Sequence, residues 1–495
     1  MIWRKKYRFA GTRALVQAAL PVTTRQFRIS VMSAALCLCA SASLPAQTFT
    51  TLHSFDGTDG RESNAGLVQA ANGSLYGTTY YGGTKDSGEV FEITPAGTLT
   101  TLYSLCSKSG CTDGEYTYAT PVQGTDGNFY GTTYLGGSKE SGTVFKITPA
   151  GTLTTLHTFG GSDGSQPLAG LVQATNGDFY GTTYMGGSKG DGEVFKVTPS
   201  GALTTHHSFC SQSGCTDGKN PFAGLIQGID GNLYGTTLEG GAKGFGTVFK
   251  ITPSGTFKTL HSFCTQSGCP DGQFPQTGLV QATNGNLYGT TIVGGAYGSG
   301  TIFEITPSGT LTTLYNVCSQ SGCPDGNYLY AGLIQATDGN LYGIMDVGGA
   351  HGSGTIFKIT LSGTPTTLYN FCSQSGCTDG QYPAGGLVQA TDGNLYGTTA
   401  DGGANGCGTV FSLSIGLGPF VETEPTAAKV GAAVNVLGTN LTGATSVSFN
   451  GTAATFTVVS SSEITTNVPA GATTGEVKVV TPSGTLSSNV PFRVP

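Results

Sequence analysis

Apolar and polar positions alternate along this chain in short runs of about five or six residues, and the same alternation returns seven times. The unit is plainest in AGGLVQATDGNLYGTTADGGANGCGTVFSL, residues 384–413. Its LYG or FYG signature recurs at Tyr76, Tyr130, Tyr180, Tyr234, Tyr288, Tyr342 and Tyr396, in steps of 54, 50, 54, 54, 54 and 54 residues. Such a period marks a repeat architecture. Within a unit, GLVQA predicts a first strand that ends at Asp-Gly or Asn-Gly, residue pairs suited to the positive φ of a two-residue hairpin turn. LYGTT predicts the second strand, and a glycine-rich hairpin leads to TVFKIT as the third. TPSG or TPAG then turns the chain into GTLTTLYSF, the fourth. Thr, Val, Tyr and Phe dominate these runs, as a half-buried pleated surface requires. No helical period lasts more than a turn, so the expected fold class is all-β.

Seven four-stranded units can stack as an open solenoid or close into a propeller. TFTTLHSF (residues 48–55) matches the fourth strand, whereas the last unit stops at TVFSLS (residues 409–414) without one. The surplus strand at one end fits the gap at the other. The expectation is a seven-bladed β-propeller over residues 47–415, closed by pairing Thr48–Phe55 with the strand near Thr409–Leu413, which leaves no free edge.

The repeat GLVQATDGNLYGTT…GG…GTVFKITPSGTLTTLYSF resembles the GloVer-type tandem repeat of exported bacterial proteins, over residues 48–414. The resemblance implies a repeat fold and no particular activity. After a linker, VNVLGTNL, VSFNGTAATF and EITTNVPAGATTGEVKV resemble an IPT/TIG domain, which implies an immunoglobulin-like β-sandwich over residues 418–495. Short alternating strands with Gly and Asn turns fit that reading.

Residues 1–46 stand apart. Arg4, Lys5, Lys6, Arg8, Arg13, Arg25 and Arg28 precede the apolar run 31–40 and then SASLPAQ, the order of a secretory signal, with cleavage expected after Ala42 or Ala46. That run is too short to span a bilayer. The segment holds seven of the 22 basic residues and none of the 29 acidic ones, so residues 47–495 carry 15 against 29, a net of −14. Such a charge repels nucleic acid and anionic membrane surfaces. The expected protein is exported to the periplasm, cell surface or medium, monomeric, with no transmembrane segment in its mature chain and no cofactor.

Ten of the 13 cysteines form C-x4-C pairs: Cys106/Cys111, Cys210/Cys215, Cys264/Cys269, Cys318/Cys323 and Cys372/Cys377. Each pair sits in the same loop of its repeat. Repeats 1 and 3 lack both members together, and cysteines that vanish in pairs are expected to be bonded to each other. Zinc would need four ligands, and no His or second pair lies nearby in sequence. Cys407 stands where four other repeats have Ser87, Ser141, Ser299 and Ser353, and is expected to be a free thiol.

In a four-stranded meander the DGN and TPSG turns lie on one face, and the hairpins and cysteine-bearing connectors on the other. The turn face repeats the same small residues. The connector face varies, and over repeats 1–3 it offers Tyr80, Tyr134 and Tyr184 beside Lys85, Lys139 and Lys189. Tyrosine faces stack on sugar rings and lysines attract anions, so these six are the candidate ligand-binding residues, for a glycan or a surface protein. The repeated glutamines (Gln69, Gln123, Gln173, Gln227, Gln281, Gln335, Gln389) are expected to make inter-blade amide hydrogen bonds. The Asp of each connector is expected to cap its turn, and the His or Tyr at position 53 and its equivalents to serve packing. No catalytic constellation or metal site emerges. A binding scaffold with the C-terminal domain as spacer is therefore the leading function, and an enzyme acting on polysaccharide (lyase or hydrolase) the alternative.

Overall fold

A computed structural model describes residues 47–495, so the signal segment expected over residues 1–46 lies outside the described residues. Among the described residues regular structure is β apart from three single 3-10 turns in the connectors, Ser109–Cys111, Ser213–Cys215 and Ser375–Cys377. Repeats 1–6 each form a four-stranded antiparallel sheet in sequence order. In repeat 1 the strands are Val68–Gln69, Leu75–Thr79, Glu89–Ile93 and Leu99–Ser104. The sheet of repeat 7 takes Thr48–Ser54 as its outer strand, in register from Thr48↔Ser414 to Ser54↔Thr409. That strand has a bulge at Leu52, as the fourth strand of repeat 1 has one at Leu102. The terminal strand thus copies the fourth strand in geometry as well as in sequence.

The second strand of every repeat is buried along its whole core, and each signature tyrosine packs against the next sheet; Tyr76 stacks on Phe129 with ring centres 4.0 Å apart. The apolar clusters are shared between successive repeats: Tyr76, Val90 and Leu105 pack with Phe129, Phe145 and Ile147. Phe55, Leu67 and Phe91 at the other end pack with Tyr396 and Val410. The succession of packed pairs therefore returns to its start.

The glutamines trace the same cycle at the inner edge. Each Oε1 accepts the backbone N–H that opens the DGN turn of the preceding repeat: Ala71, Thr125, Thr175, Ile229, Thr283 and Thr337 give theirs to Gln123, Gln173, Gln227, Gln281, Gln335 and Gln389, at 2.8–3.0 Å. Thr391 gives its N–H to Gln69 at 2.8 Å, which links repeat 7 to repeat 1. The Nε2 of each glutamine donates to the glycine carbonyl of its own turn, as Gln281 does to Gly285 at 2.8 Å. Both ends of the amide are used.

The DGN turn differs from the two-residue turn expected of it. Only its glycine has positive φ, as at Gly73 (83°), and Ala70 N–H reaches Ser74 O, so the loop has three residues with the glycine as its left-handed member. The Asp or Asn takes the N–H two residues on and also serves the buried tyrosine. Tyr130 donates its hydroxyl to Asp126 at 2.8 Å, whereas Tyr76 accepts from Asn72 at 2.9 Å. Either residue satisfies a phenol that burial would otherwise strand, which explains why both occur.

All five cysteine pairs are disulfides: Cys106–Cys111, Cys210–Cys215, Cys264–Cys269, Cys318–Cys323 and Cys372–Cys377. Both members of every pair have positive φ, for example Cys210 at 56° and Cys215 at 52°. The carbonyl of the second member accepts the N–H of the hairpin's second glycine, as Cys215 does from Gly241 at 2.9 Å.

The five connectors, which share one motif in sequence, nevertheless take two geometries. In three of them the first cysteine donates its N–H to the glycine carbonyl after the Asp, as Cys210 does to Gly218 at 3.0 Å, and the second cysteine closes a 3-10 turn. Cys269 and Cys323 keep the N–H bond to the carbonyl three places back, Gln266 at 3.2 Å and Gln320 at 3.0 Å, but the turn does not continue to the next residue. Each is followed by proline, Pro270 or Pro324, which has no N–H to give and restricts the residue before it. Their partners Cys264 and Cys318 donate instead to the side chains of Asp271 and Asp325, at 3.1 and 3.0 Å. The link to the hairpin survives the change: Cys269 O receives Gly295 at 2.9 Å and Cys323 O receives Gly349 at 3.0 Å.

Repeats 1 and 3 place Gly57 and Gly161 in the role of the second cysteine, at φ 91° and 88°, receiving Gly83 and Gly187. Glycine adopts this backbone at little cost, whereas other residues pay for it and here are tied down by the crosslink. The double variant Cys210→Ser, Cys215→Ser should lose roughly 2 kcal/mol in urea denaturation. Placing glycine instead of serine at 215 should recover about half of that, and equal losses would contradict the exchange.

In the C-terminal segment two four-stranded sheets, one with inner strands Ala433–Leu437 and Glu463–Asn467, the other with Ser446–Phe449 and Val477–Thr481, enclose a common core of Val434, Val436, Phe449, Ile464 and Val479. Instead of standing off as a spacer, this segment meets the DGN-turn face. Ser462 Oγ donates to Ala71 O at 2.8 Å, Thr439 pairs with Thr391 at 3.0 Å, and Arg493 Nη1 donates to Ile229 O at 3.0 Å. Burial pushes the Glu422 carboxyl up to about 7, and burial with the nearby Glu422 and Glu463 carboxylates pushes Glu424 up to about 8. A carboxyl whose folded pKa exceeds its unfolded value binds more protons in the native state, so its contribution to stability is complete below about pH 4.5 and is lost as pH rises through 7–8. Denaturation midpoints measured from pH 5 to 8 should therefore fall more steeply in the wild type than in Glu424→Gln. Parallel profiles would contradict the assignment.

Candidate functional site

In all seven repeats the hairpin's second glycine donates to a connector carbonyl at 2.8–3.2 Å, so hairpins and connectors share one face, as expected. Connectors also lock onto the hairpin of the repeat before. Tyr116, at φ 56°, donates its N–H to Ser87 O at 2.8 Å, and Glu62, Gln166, Asn220, Phe274, Tyr328 and Tyr382 hold the same left-handed conformation at equivalent positions. Large side chains at a backbone conformation that favours glycine carry a cost, and they occupy it in every repeat.

The seam between repeats 1 and 2 holds a continuous aromatic cluster. Tyr80 lies 4.5 Å from Tyr81, 5.1 Å from Tyr116 and 4.4 Å from Tyr118, ring centre to ring centre, and Tyr118 meets Tyr134 edge-on at 6.0 Å. Tyr80 is only 7% exposed, so it backs the cluster, while Tyr81, Tyr116, Tyr118 and Tyr134 are partly open. Burial raises the hydroxyl pKa of Tyr80, Tyr118 and Tyr134. Tyr184 belongs to a second contact, with Phe222 at 6.2 Å.

Lys85, Lys139 and Lys189 are exposed at the hairpin tips. The cation in contact with the tyrosines is Arg61, whose guanidinium lies 4.6 Å from the Tyr81 ring centre and pairs with Asp86 at 2.6 Å. Arg61, Tyr116, Tyr118 and Phe222 were not singled out by the repeat pattern. The available signal was the aromatic residue three places after the connector Asp in four repeats, at Tyr116, Phe274, Tyr328 and Tyr382.

The connector aspartates do cap their turns, and the His or Tyr residues read as packing are also their partners. Asp217 accepts the N–H groups of Ser211 and Gln212, and its Oδ2 lies 3.1 Å from His207 Nε2. Tyr103, Tyr315 and Tyr369 donate hydroxyls to Asp113, Asp325 and Asp379 in the same way. Among the described residues two groups approach metal-ligand spacing, Cys106/Cys111/Glu115 and Asp191/Cys210/Cys215, but in each the two sulfurs are bonded to one another.

The Gloeobacter/Verrucomicrobia repeat family model matches residues 41–227 and 211–411. The chain belongs to this family. An IPT/TIG domain model matches residues 421–494. No curated protein matches the chain. Among solved structures, a fungal alcohol oxidase in complex with copper is 12% identical with a TM-score of 0.48, over 90% of this chain and 98% of its own. A periplasmic gluconolactonase of Pseudomonas aeruginosa is 15% identical with a TM-score of 0.39, over 72% and 97%. An auxiliary nutrient binding protein of Bacteroides thetaiotaomicron is 13% identical with a TM-score of 0.40, over 74% and 76%. At these scores none bears on what this Gloeobacter/Verrucomicrobia repeat protein does. Its Cys407 is a free thiol, part-exposed and close to Gly57 of the cysteine-free connector of repeat 1. Burial raises its pKa.

Proposed function

We propose that this is an exported, monomeric, non-catalytic binding scaffold: a seven-bladed β-propeller over residues 47–415, an immunoglobulin-like domain over residues 418–495, and a secretory signal in residues 1–46. The cycle of glutamine contacts and the outer strand lent by Thr48–Ser54 support the propeller. Five disulfides fit an oxidising compartment, and among the described residues no helix is long and apolar enough to cross a membrane.

The ligand we infer is a glycan, held on the connector face by the tyrosine cluster. The observation that carries this reading is the run of partly open rings Tyr81, Tyr116, Tyr118 and Tyr134 over buried Tyr80. Packed aromatic rings lose little entropy on binding and are the usual anchors of recognition surfaces. Lys85, Lys139 and Lys189 would favour an anionic sugar or a surface protein carrying one, whereas the Arg61 charge is offset by Asp86. The turn face, by contrast, already engages the chain's own C-terminal domain.

A glycan array with the purified mature protein identifies the ligand. Tyr118→Ala, Tyr134→Ala and Tyr184→Ala should then each weaken binding by on the order of 1 kcal/mol or more. Tyr80→Phe keeps the buried ring and should leave affinity nearly unchanged. If all three alanine variants bound like wild type while changes in the DGN turns abolished binding, the face would be wrong.

A further inference from the structure

Between the C-terminal domain and the DGN turns of repeats 3–5 lies a cleft of about 680 Å³. Ile226, Ile229 and Val280 line its repeat side, and Val490, Pro491 and Val494 its other wall. The size falls in the range of small-molecule sites. Ile229 departs from its own repeat. The equivalent residues are Ala71, Thr125, Thr175, Thr283, Thr337 and Thr391, small or polar, yet here a large aliphatic side chain is 62% exposed. Its backbone makes the same hydrogen bond to a glutamine as the others, Gln281 in this case at 2.8 Å, so the fold does not require isoleucine. The one repeat that breaks the small-residue rule does so at the cleft.

The cleft also contains a cation. Arg493 spends one Nη1 hydrogen on the Ile229 carbonyl at 3.0 Å, a neutral partner that fixes the direction of the side chain. A guanidinium has five N–H donors in a planar fork suited to a carboxylate. The acid of the adjoining turn, Asp230, is committed to the Tyr234 hydroxyl at 2.7 Å and the Asn232 amide at 2.6 Å.

We propose that this cleft binds a single-chain amphiphile with a carboxylate head, its apolar body along Ile226, Ile229 and Val280 and its head on Arg493. The site is separate from the connector face, so its test does not depend on glycan binding.

Dodecanoate, kept below its micelle concentration, and neutral dodecanol are titrated calorimetrically into the mature chain. Dodecanoate should bind saturably at one site. Arg493→Gln should weaken dodecanoate roughly tenfold and leave dodecanol unchanged. Ile229→Trp fills the cleft from an exposed position, where folding tolerates it, and should weaken both ligands at least about tenfold. Tyr118→Ala should alter neither. The proposal is overturned if wild type shows no saturable dodecanoate binding, or if Ile229→Trp binds like wild type. Equal loss of both ligands in Arg493→Gln would overturn the head-group assignment.

Discussion

At the inner edge of each repeat sheet the first strand is only two residues long, too short for backbone pairing to hold the neighbouring repeat, and a glutamine amide takes over. Its oxygen receives the N–H at the mouth of the preceding turn and its nitrogen secures the carbonyl of its own. At Thr391, which is fully buried, removing Gln69 would leave the N–H without a partner, which costs more than the bond itself is worth; at the exposed turns, such as Ile229, water can take the glutamine's place. The contact from Gln69 to Thr391 joins the last repeat to the first by the same bond that joins the others. The N-terminal strand on the last sheet and the apolar cluster between repeats 7 and 1 act at the same seam.

With the inner edge fixed, the outer loops can vary, and they vary by exchanging one physical device for another. A disulfide holding two left-handed cysteines and a shorter loop carrying glycine both present a carbonyl to the same hairpin N–H. Asp and Asn exchange at the DGN turn because a tyrosine hydroxyl can donate to one and accept from the other. The connector face is therefore free to diverge repeat by repeat, and the tyrosine cluster occupies one stretch of it.

Much of this was legible in the sequence because it is local and repeated. Strand order, the lent strand, the disulfides and the inter-repeat role of glutamine all follow from a 54-residue period read at its two ends. The turn geometry was less so: Asp-Gly suggests two left-handed residues, but the Asx side chain captures the N–H two places on and leaves only glycine left-handed. The split among the disulfide connectors was equally hidden, since the one sequence difference that these two connectors share is the proline after Cys269 and Cys323. Tyr80 read as an accessible anchor, yet it is covered by Tyr116 and Tyr118, which come from the following repeat's connector and share no motif with it. The seating of the C-terminal domain on the turn face depends on single contacts such as Ser462 to Ala71 and Arg493 to Ile229, which no period announces.

Cyclic closure is tested most directly by a crosslink across the seam where the two ends meet. Thr50 and Ser412 face one another in the pairing of the first strand with the last, at the separation of cross-strand neighbours that a disulfide can bridge. In a Cys407→Ser background, the pair Thr50→Cys and Ser412→Cys should oxidise to an intramolecular disulfide in the monomer, resolved by peptide mapping. Thiols that stay free, or that link only between molecules, would contradict the closed cycle.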